Sequence, residues 1–344
     1  MAYTTINKST DFFSPTLYLG NGSSKTVVGI PFEPAMTWLK NRSVAGDNEL
    51  YDKLRGAGYR IYSNANSAND NIGSQGLSAW TSDGFTVGNN TAINGNGNNL
   101  VSWNWKGGTT ATNTDGSTTT SVSANPTSGF SIVSYTGTGS VATLGHGLST
   151  APSYVIIKRL NVGDWIVGSN SMTSWNYVVS LNAESVEANQ VNQFNGTAPT
   201  TSVVTLGTEG QTNLSGQAFI MYCFSDITGF SKTGLYTGNG SADGPFTYTG
   251  FKPGFILIRR INAGASWRLY DNKRIGYNSS NYYLTPNTNG VDGTGSTLAM
   301  DILSNGFKVI GNDIDVNTDG GSYMYMAFAA APLVGSNNVP ATAR

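Results

Sequence analysis

One histidine and one cysteine are the first residues whose chemistry needs weighing. His146 lies in a Gly-His-Gly-Leu loop, and Cys223 lies within an apolar run. A histidine that acts as a general base needs a nucleophile and an orienting carboxylate, and the sequence around His146 indicates neither. A lone histidine and a lone cysteine also do not make a zinc site. We interpret His146 as a structural loop residue and Cys223 as a small core residue.

Two groups of carboxylates have the spacing of functional sites. Glu184 and Glu187 are a close glutamate pair, which glycoside hydrolysis could use, but residues three apart on a strand point to opposite faces. Residues 313–319, from Asp313 to Asp319, resemble a calcium loop, yet Met326 occupies the place of its bidentate glutamate. We interpret the pair as solvated charges and the segment as a polar turn. Calcium binding by this turn stays open.

Two aspartates are each followed by an arginine three residues later, Asp52 by Arg55 and Asp271 by Arg274. Such a pair could clamp a substrate. A carboxylate and a guanidinium also form strong, geometrically specific hydrogen bonds. Because the spacing occurs at comparable places in two parts of the chain, we predict two ion pairs that each fix a loop.

Two tryptophans are the weak candidates for ligand binding. Trp80 and Trp175 lie beside polar, turn-rich sequence. Each could be an exposed stacking platform for a sugar ring or a half-buried anchor. We predict no catalytic residue, no metal site and no cofactor, and the chain does not read as an enzyme.

The composition excludes several classes of partner. Of 344 residues, 11% are charged and the formal net charge is −1, whereas ordinary soluble domains contain about 25% charged residues. No basic surface for nucleic acid or an anionic membrane is indicated. The first residues lack the basic and apolar regions of a signal peptide, and no apolar stretch is long enough to span a bilayer. We expect a protein made in a cytoplasm that reaches the outside only by assembly.

The elements that position these residues recur three times along the chain. A Gly-x-Gly turn follows a tyrosine at residues 18–22, 135–139 and 236–240, and a proline-led apolar strand follows at residues 34–42, 152–160 and 253–261. We expect the basic residues that close these strands to be solvated, and Trp38, Ile157 and Ile258 to be equivalent inward residues. Each copy ends on an aromatic strand, and in the second and third copies it is apolar on both faces. A strand that is apolar on both faces is predicted to be central and covered on both sides.

These landmarks predict an all-β fold of three tandem, diverged β-sandwich modules, with a jelly-roll-like arrangement as the variant. A run of Thr, Ser, Asn and Gly between the first two modules reads as a flexible linker. The predicted boundaries are a tail at 1–10, modules at 11–107, 128–226 and 228–332, a linker at 108–127, and a tail at 333–344.

Several longer motifs together resemble a known family. They are the Tyr-x-Gly-x-Gly-Ser turn, the proline-led strand, Ser-Asp-Gly-Phe-x-Val-Gly at 82–88, Val-Ser-Trp-Asn-Trp-Lys at 101–106, Asn-Thr-Asp-Gly-Ser at 113–117, and residues 129–139. The set is similar to repeated-domain structural proteins of marine bacteriophages, commonly labelled tail-fibre-like. The resemblance covers essentially all of residues 1–332.

The resemblance implies a virion component with no known active site. We therefore expect a tail-fibre, head-fibre or decoration appendage that contributes to host-surface adhesion, with other virion proteins and a host surface polysaccharide as partners. Symmetric attachment favours a homo-oligomer, with a trimer as the first choice. The alternative is a virion-associated depolymerase or esterase, which would need convergent acids in a groove.

Overall fold

The computed structural model describes residues 4–274, 278–334 and 340–342, and its regular structure is nearly all antiparallel β. This confirms the predicted all-β sandwich fold. The helical elements are short: the α-helical turns α1 (Thr91–Asn94) and α2 (Gly210–Asn213), and 3₁₀ turns at Ser9–Asp11, Gly73–Gln75 and Ser296–Leu298. Within the described ranges, no helix is long and apolar enough to cross a membrane.

The first third of the chain, unit 1, packs a large sheet against a small one. The large sheet has the order β1-β9-β3-β4-β5-β6 and the small sheet the order β2-β8-β7. Leu39, Tyr51 and Phe85 are buried between them. The strands are β1 (Phe13–Leu19), β2 (Lys25–Val28), β3 (Met36–Asn41), β4 (Glu49–Asp52), β5 (Tyr59–Tyr62), β6 (Asp70–Asn71), β7 (Leu77–Thr81), β8 (Gly84–Val87) and β9 (Asn99–Trp105).

Unit 2, the part of the chain from residue 110 to residue 224, has the same plan with a longer large sheet. That sheet has the order β10-β11-β12-β19-β14-β15-β16-β17, and β13 pairs with β18 across the sandwich. Its strands are β10 (Thr110–Asn113), β11 (Thr120–Asn125), β12 (Phe130–Thr136), β13 (Ala142–Gly145), β14 (Tyr154–Arg159), β15 (Trp165–Ser169), β16 (Tyr177–Ser180), β17 (Ala188–Asn189), β18 (Val203–Leu206) and β19 (Ala218–Phe224).

Unit 3 repeats the plan again. Its sheets have the orders β20-β28-β22-β23, β21-β27-β26 and β24-β25. Its strands are β20 (Ser231–Thr237), β21 (Phe246–Tyr248), β22 (Phe251–Arg260), β23 (Arg268–Asp271), β24 (Tyr282–Tyr283), β25 (Gly293–Thr294), β26 (Met300–Leu303), β27 (Gly306–Val309) and β28 (Ser322–Pro332). The last strands β19 and β28 are central and buried on both faces, as their apolar sequences predicted.

Strand register defines which residues are equivalent between units. Trp105, Phe224 and Phe328 each pair with two strands of their own unit. One neighbour is β1, β12 or β20, and the other is the proline-led strand β3, β14 or β22. Counting from these pairs makes Trp38 equivalent to Ile156 and Leu257. The predicted match of Trp38 with Ile157 and Ile258 is therefore wrong by one residue, and on a strand one residue reverses the face.

The predicted linker, residues 108–127, is wrong. Its segments Thr110–Asn113 and Thr120–Asn125 form the hairpin β10–β11, and β11 pairs with β12 from Asn125↔Phe130 to Ser121↔Ser134. Composition suggested flexibility because the side chains are small and polar. Backbone hydrogen bonding to an available sheet edge does not depend on large side chains.

Only unit 2 extends its large sheet in this way, and the corresponding edges of the other units are blocked. Ile132 of β12 pairs with Ser123 of β11. Unit 1 has Pro15 at the position of Ile132, and proline has no N–H to donate. Unit 3 has Thr233 there, and its N–H donates to the Asp226 Oδ1 at 2.9 Å. Both devices discourage pairing with a further strand.

The predicted N-terminal tail also packs against the body over its described part. Ile6 is 1% exposed in the main core. The Thr4 hydroxyl donates to the Thr228 carbonyl at 2.6 Å, next to the connection between units 2 and 3. In the C-terminal segment 333–344, Val334 bridges Pro340 and the Ala341 N–H donates to Leu333. The remaining residues of that prediction, 335–339 and 343–344, lie outside the described ranges.

The large sheets of the three units meet in a shared core. Trp105, Phe224 and Phe328, which we name the aromatic triad, lie at equivalent positions in three different units. Their ring centroids are 6.3, 5.7 and 5.6 Å apart, in the pairs Trp105–Phe224, Phe224–Phe328 and Trp105–Phe328. A flexible linker between the first two modules would leave few contacts between them, and the triad contradicts this consequence of the linker prediction.

Replacing Trp105 by Ala should lower the free energy of unfolding of the whole chain by about 3–5 kcal/mol, because a large buried side chain is lost at the common core. Native-state hydrogen exchange measures this unit by unit: amide protection in units 2 and 3 should fall together with that in unit 1. Val28→Ala, at a position 57% exposed, serves as the control. Unchanged protection in units 2 and 3 would show that the units fold independently.

Candidate functional site: buried cations between the units

The first cation at the basic end of each proline-led strand is buried, contrary to the sequence prediction, whereas the following Arg159 and Arg260 are partly exposed. Lys40, Lys158 and Arg259, which we name the interface cations, are each 0% exposed. They occupy equivalent register positions on β3, β14 and β22, because each lies four residues after Met36, Tyr154 and Phe255, respectively. Inward orientation on a strand carries them into the space between units, where water cannot solvate them.

Each interface cation donates to a loop carbonyl of a neighbouring unit. The Lys40 ammonium donates to the Asn289 carbonyl at 3.1 Å, and the Lys158 ammonium donates to the Asn66 carbonyl at 3.3 Å. The Arg259 guanidinium donates to the Ser185 carbonyl. These bonds run from unit 1 to unit 3, from unit 2 to unit 1 and from unit 3 to unit 2, so the contacts close a ring within one chain.

A second donor beside each cation reaches the same neighbouring unit. The Asn48 Nδ2 donates to the Thr288 carbonyl at 2.7 Å. At the equivalent positions on β15 and just before β23, the indole N–H groups of Trp165 and Trp267 donate to Tyr62 and Ser180, at 2.8 and 3.1 Å. The Arg259 guanidinium also lies 5.6 Å from the centroid of the Trp267 ring.

The two predicted Asp–Arg pairs exist and fix loops, as the sequence indicated. The Arg55 Nε lies 2.6 Å from the Asp52 Oδ2, and the Arg274 Nε lies 2.7 Å from the Asp271 Oδ2. In both cases the aspartate Oδ1 accepts backbone N–H groups of the following turn.

The same carboxylates also join units. The Tyr222 hydroxyl of unit 2 donates to the Asp52 Oδ2 at 2.7 Å, and the Trp103 Nε1 of unit 1 donates to the Asp271 Oδ2 at 3.2 Å. Tyr222 and Trp103 are equivalent residues two positions before the aromatic triad. These carboxylates therefore bind donors of their own unit and of its neighbour at once.

Burial changes the ionisation of the interface cations. Loss of hydration lowers the pKa of Lys40 and of Lys158 to about 8 each, and that of Arg259 to about 10. Carbonyl oxygens compensate part of the cost of burying the charge. The arrangement is suited to holding three units in one fixed relation.

The sequence contained a signal for this site that composition concealed. The interface cations follow Pro34, Pro152 and Pro253 by six residues in every copy. Solvated charges have no reason to recur at one offset within three apolar strands, so the recurrence indicates burial. Long charged residues are almost never fully buried without partners, so the pattern also indicates acceptors elsewhere in the chain.

His146 is a structural residue, as interpreted from the sequence. It is 0% exposed; its Nδ1 accepts the Leu148 N–H at 3.1 Å and its Nε2 lies 3.1 Å from the Thr200 carbonyl. These contacts fit a neutral ring with the proton on Nε2. Burial lowers the pKa of His146. Cys223 is likewise buried, in the core of unit 2.

The two glutamates of the candidate pair turn to different partners. Glu184 Oε1 accepts the Ser266 hydroxyl and, at 3.3 Å, the Asn287 Nδ2, both in unit 3. Glu187 accepts the Thr173 hydroxyl at 2.5 Å and the Thr173 N–H at 3.2 Å. They lie in a loop between β16 and β17, so the strand argument does not apply, but they do not converge on one point.

The calcium-like segment forms a turn that is fixed by hydrogen bonds and an ion pair. Asp315 pairs with Arg268, and the Asp313 Oδ1 accepts the Asp315 N–H at 3.0 Å. The Asn317 Nδ2 donates to the Gly311 carbonyl at 2.8 Å, while its Oδ1 accepts the Asn239 N–H at 2.8 Å. Among the described residues, no three His, Cys, Asp or Glu side chains are grouped as metal ligands.

The candidate stacking tryptophans differ in exposure. Trp175 is only 6% exposed, packs edge-on against Phe194 and donates from its Nε1 to the Asn170 Oδ1 at 2.8 Å. It presents no ring face to solvent, so its reading as an exposed platform is wrong. Trp80 is half-buried against the core of unit 1.

Comparison with known proteins assigns the chain to one family. A family model described as Domain of unknown function (DUF7483) matches residues 8–332, and the chain belongs to this family. The match spans all three units. No curated protein and no solved structure matches the chain.

The lowered lysine pKa values predict an unusual pH dependence. The pKa of an unfolded lysine is about 10.4, so between pH 8 and 10 the unfolded chain binds more protons than the folded chain, and stability contributed by Lys40 and Lys158 rises with pH. Urea unfolding should show the wild-type free energy of unfolding rising relative to a Lys40→Met, Lys158→Met variant by roughly 4 kcal/mol across this window, about 2 kcal/mol for each lysine. Subtracting the variant removes the titration of tyrosines and Cys223.

The matched control is Lys308→Met, whose side chain is 34% exposed. It should leave the pH dependence of wild type unchanged. Parallel curves for the wild type and the double variant would mean that the two lysines ionise normally.

Proposed function

We propose that this member of the DUF7483 family is a structural protein of a bacteriophage particle, a tail-fibre, head-fibre or decoration appendage that contributes to host adhesion. The observation that carries the proposal is the closed ring of three β-sandwiches. Its buried cations and two of its buried carboxylates serve the contacts between units. Such a body is suited to presenting loops at fixed positions outside a particle.

The exposed turns support a display role. In each unit one asparagine fixes the Gly-x-Gly turn: Asn94, Asn213 and Asn317 accept the N–H groups of Asn21, Thr138 and Asn239 at 3.0, 2.8 and 2.8 Å. The turns themselves are short, polar and exposed. A fixed polar turn loses little conformational entropy when it binds a surface.

The resemblance described above supports the same class of protein. Its motifs correspond to structural landmarks: the Val-Ser-Trp-Asn-Trp-Lys motif contributes most of β9 and contains Trp105 of the aromatic triad, and residues 129–139 contain β12 and the following turn. The absence of disulfides is compatible with assembly in a host cytoplasm.

The proposal includes self-association of the chain. A homo-oligomer, with a trimer favoured, is the expectation for an appendage on a symmetric site. A single chain can also match a threefold-symmetric site, because it already carries three similar units in a ring.

The proposal predicts that the chain is accessible on the outside of intact particles. Antibodies raised against the purified chain should label whole particles in cryo-electron microscopy, and the label should be absent from particles assembled without the chain. Antibodies against a protein enclosed in the head serve as the control and should label only broken particles. Detection of the chain solely in the soluble fraction of infected cells would contradict the proposal.

A further inference from the structure

The groove between unit 1 and the β10–β11 hairpin is a large concavity, with a volume of about 840 Å³. We name it the hairpin groove. The segment before β3 and the turn after β7 form one side of it, and the chain leading into β10 forms the other. It is lined by residues 31–33, Lys53, Ser82 and residues 106–110. The hairpin that completes it has no counterpart in units 1 and 3.

The two lysines of the hairpin groove are specific to unit 1. Register places Asn170 and Asn272 at the position of Lys53, and Ser225 and Ala329 at the position of Lys106. Residues that folding requires recur between the units, as the interface cations do. The two lysines do not recur, so the fold does not account for them.

Lys106 is held at the groove without a carboxylate partner among the described residues. Its N–H donates to the Phe12 carbonyl, and its ammonium lies 5.5 Å from the centroid of the Phe12 ring. Lys53 pairs with Glu33 at 2.9 Å. The lining thus carries two positive charges and one negative charge, with the free positive charge on Lys106.

The rest of the lining offers hydroxyl groups and bare backbone. The side chains of Ser82, Thr109 and Thr110 are exposed and make no hydrogen bond to another described residue. Gly107 and Gly108 form a floor of bare backbone that packs closely on the protein beneath it, because a Cβ would lie 2.6 Å from the Ala35 Cβ and 1.9 Å from the Ala124 carbonyl oxygen, respectively, on the side away from the groove. The lining therefore combines uncommitted hydroxyls, two ammonium groups and a smooth floor.

We propose that the hairpin groove binds a segment of acidic polysaccharide. Ammonium groups attract carboxylate or sulfate groups, the free hydroxyls can exchange hydrogen bonds with sugar hydroxyls, and the smooth floor lets a saccharide approach the backbone. A neutral saccharide would leave Lys106 without a counter-charge. The proposal rests on the proposed function only for the source of the polysaccharide, a host surface, because binding is a property of the isolated chain.

The test uses the purified full-length chain and two acidic probes, a hexamer of uronic acid and a sulfated hexasaccharide, with a neutral glucose hexamer for comparison. Calorimetry at low salt should show one site for at least one acidic probe and no binding of the neutral hexamer. The acidic probe that binds more tightly identifies carboxylate or sulfate as the recognised group. A Lys53→Gln, Lys106→Gln variant should bind about tenfold more weakly, and added salt should weaken wild-type binding.

Substitution of Glu33 should change the affinity in the opposite direction to substitution of the lysines. Glu33→Gln removes the negative charge that faces the ligand, so acidic probes should bind about threefold more tightly. Damage to the fold would weaken binding instead. Lys308→Gln, a lysine of unit 3 paired with Asp243, should leave the affinity unchanged.

Equal binding of neutral and acidic probes, or no loss in the Lys53→Gln, Lys106→Gln variant, would overturn the proposal. So would the absence of binding to both acidic probes by chain that melts normally. None of these results would affect the location of the chain on particles, which is measured separately by antibody labelling.

Discussion

A buried cation must find oxygen atoms to replace its water, and this requirement determines how the three units are arranged. The interface cations lie on strands whose inward faces are otherwise apolar, so their own sheets supply few acceptors. Loops of the same unit supply part of them, at Gly46 for Lys40 and at Arg159, Asn161 and Gly163 for Lys158. Loop carbonyls of a neighbouring unit complete the set, at Asn289, Asn66 and Ser185. A unit separated from its neighbours would expose the aromatic triad and remove these acceptors from the cations. The ring and the fold of each unit therefore depend on each other.

The interfaces of the ring are equivalent in position but differ in chemistry. Two of them carry a donor–carboxylate bond, from Trp103 to Asp271 and from Tyr222 to Asp52. At the third, register places Met326 and Ser169, so donor and carboxylate are both replaced. Losing both partners of a buried hydrogen bond costs far less than losing one, because no polar group is left unsatisfied. Because donor and carboxylate are replaced together, the third interface closes without this hydrogen bond and without an unpaired member of it.

The sequence predicted what depends on local periodicity and failed where contacts are distant. Alternation and turn glycines identified the sandwiches and the central position of β28, and the spacing of Asp52 and Arg55 identified an ion pair within one loop. Small polar side chains concealed the β10–β11 hairpin, because pairing depends on a free edge elsewhere in the chain. Burial of Lys40 could not be read from one strand, since the Asn289 carbonyl that accepts from it lies in another unit. The hairpin groove was missed for both reasons. Small polar side chains concealed the hairpin that completes it, and its two sides come from separate parts of the chain.

Cutting the chain within the exposed turn that joins β11 to β12 tests the closed ring most directly. A protease site in place of Pro126 and Thr127 would break the covalent link between unit 1 with the β10–β11 hairpin on one side and the rest of unit 2 with unit 3 on the other. Light scattering of the cut protein should give a particle of the same mass as the uncut chain, with 36.3 kDa as the mass of each chain, and it should melt in one transition. Release of the two fragments as separate folded particles would contradict the account.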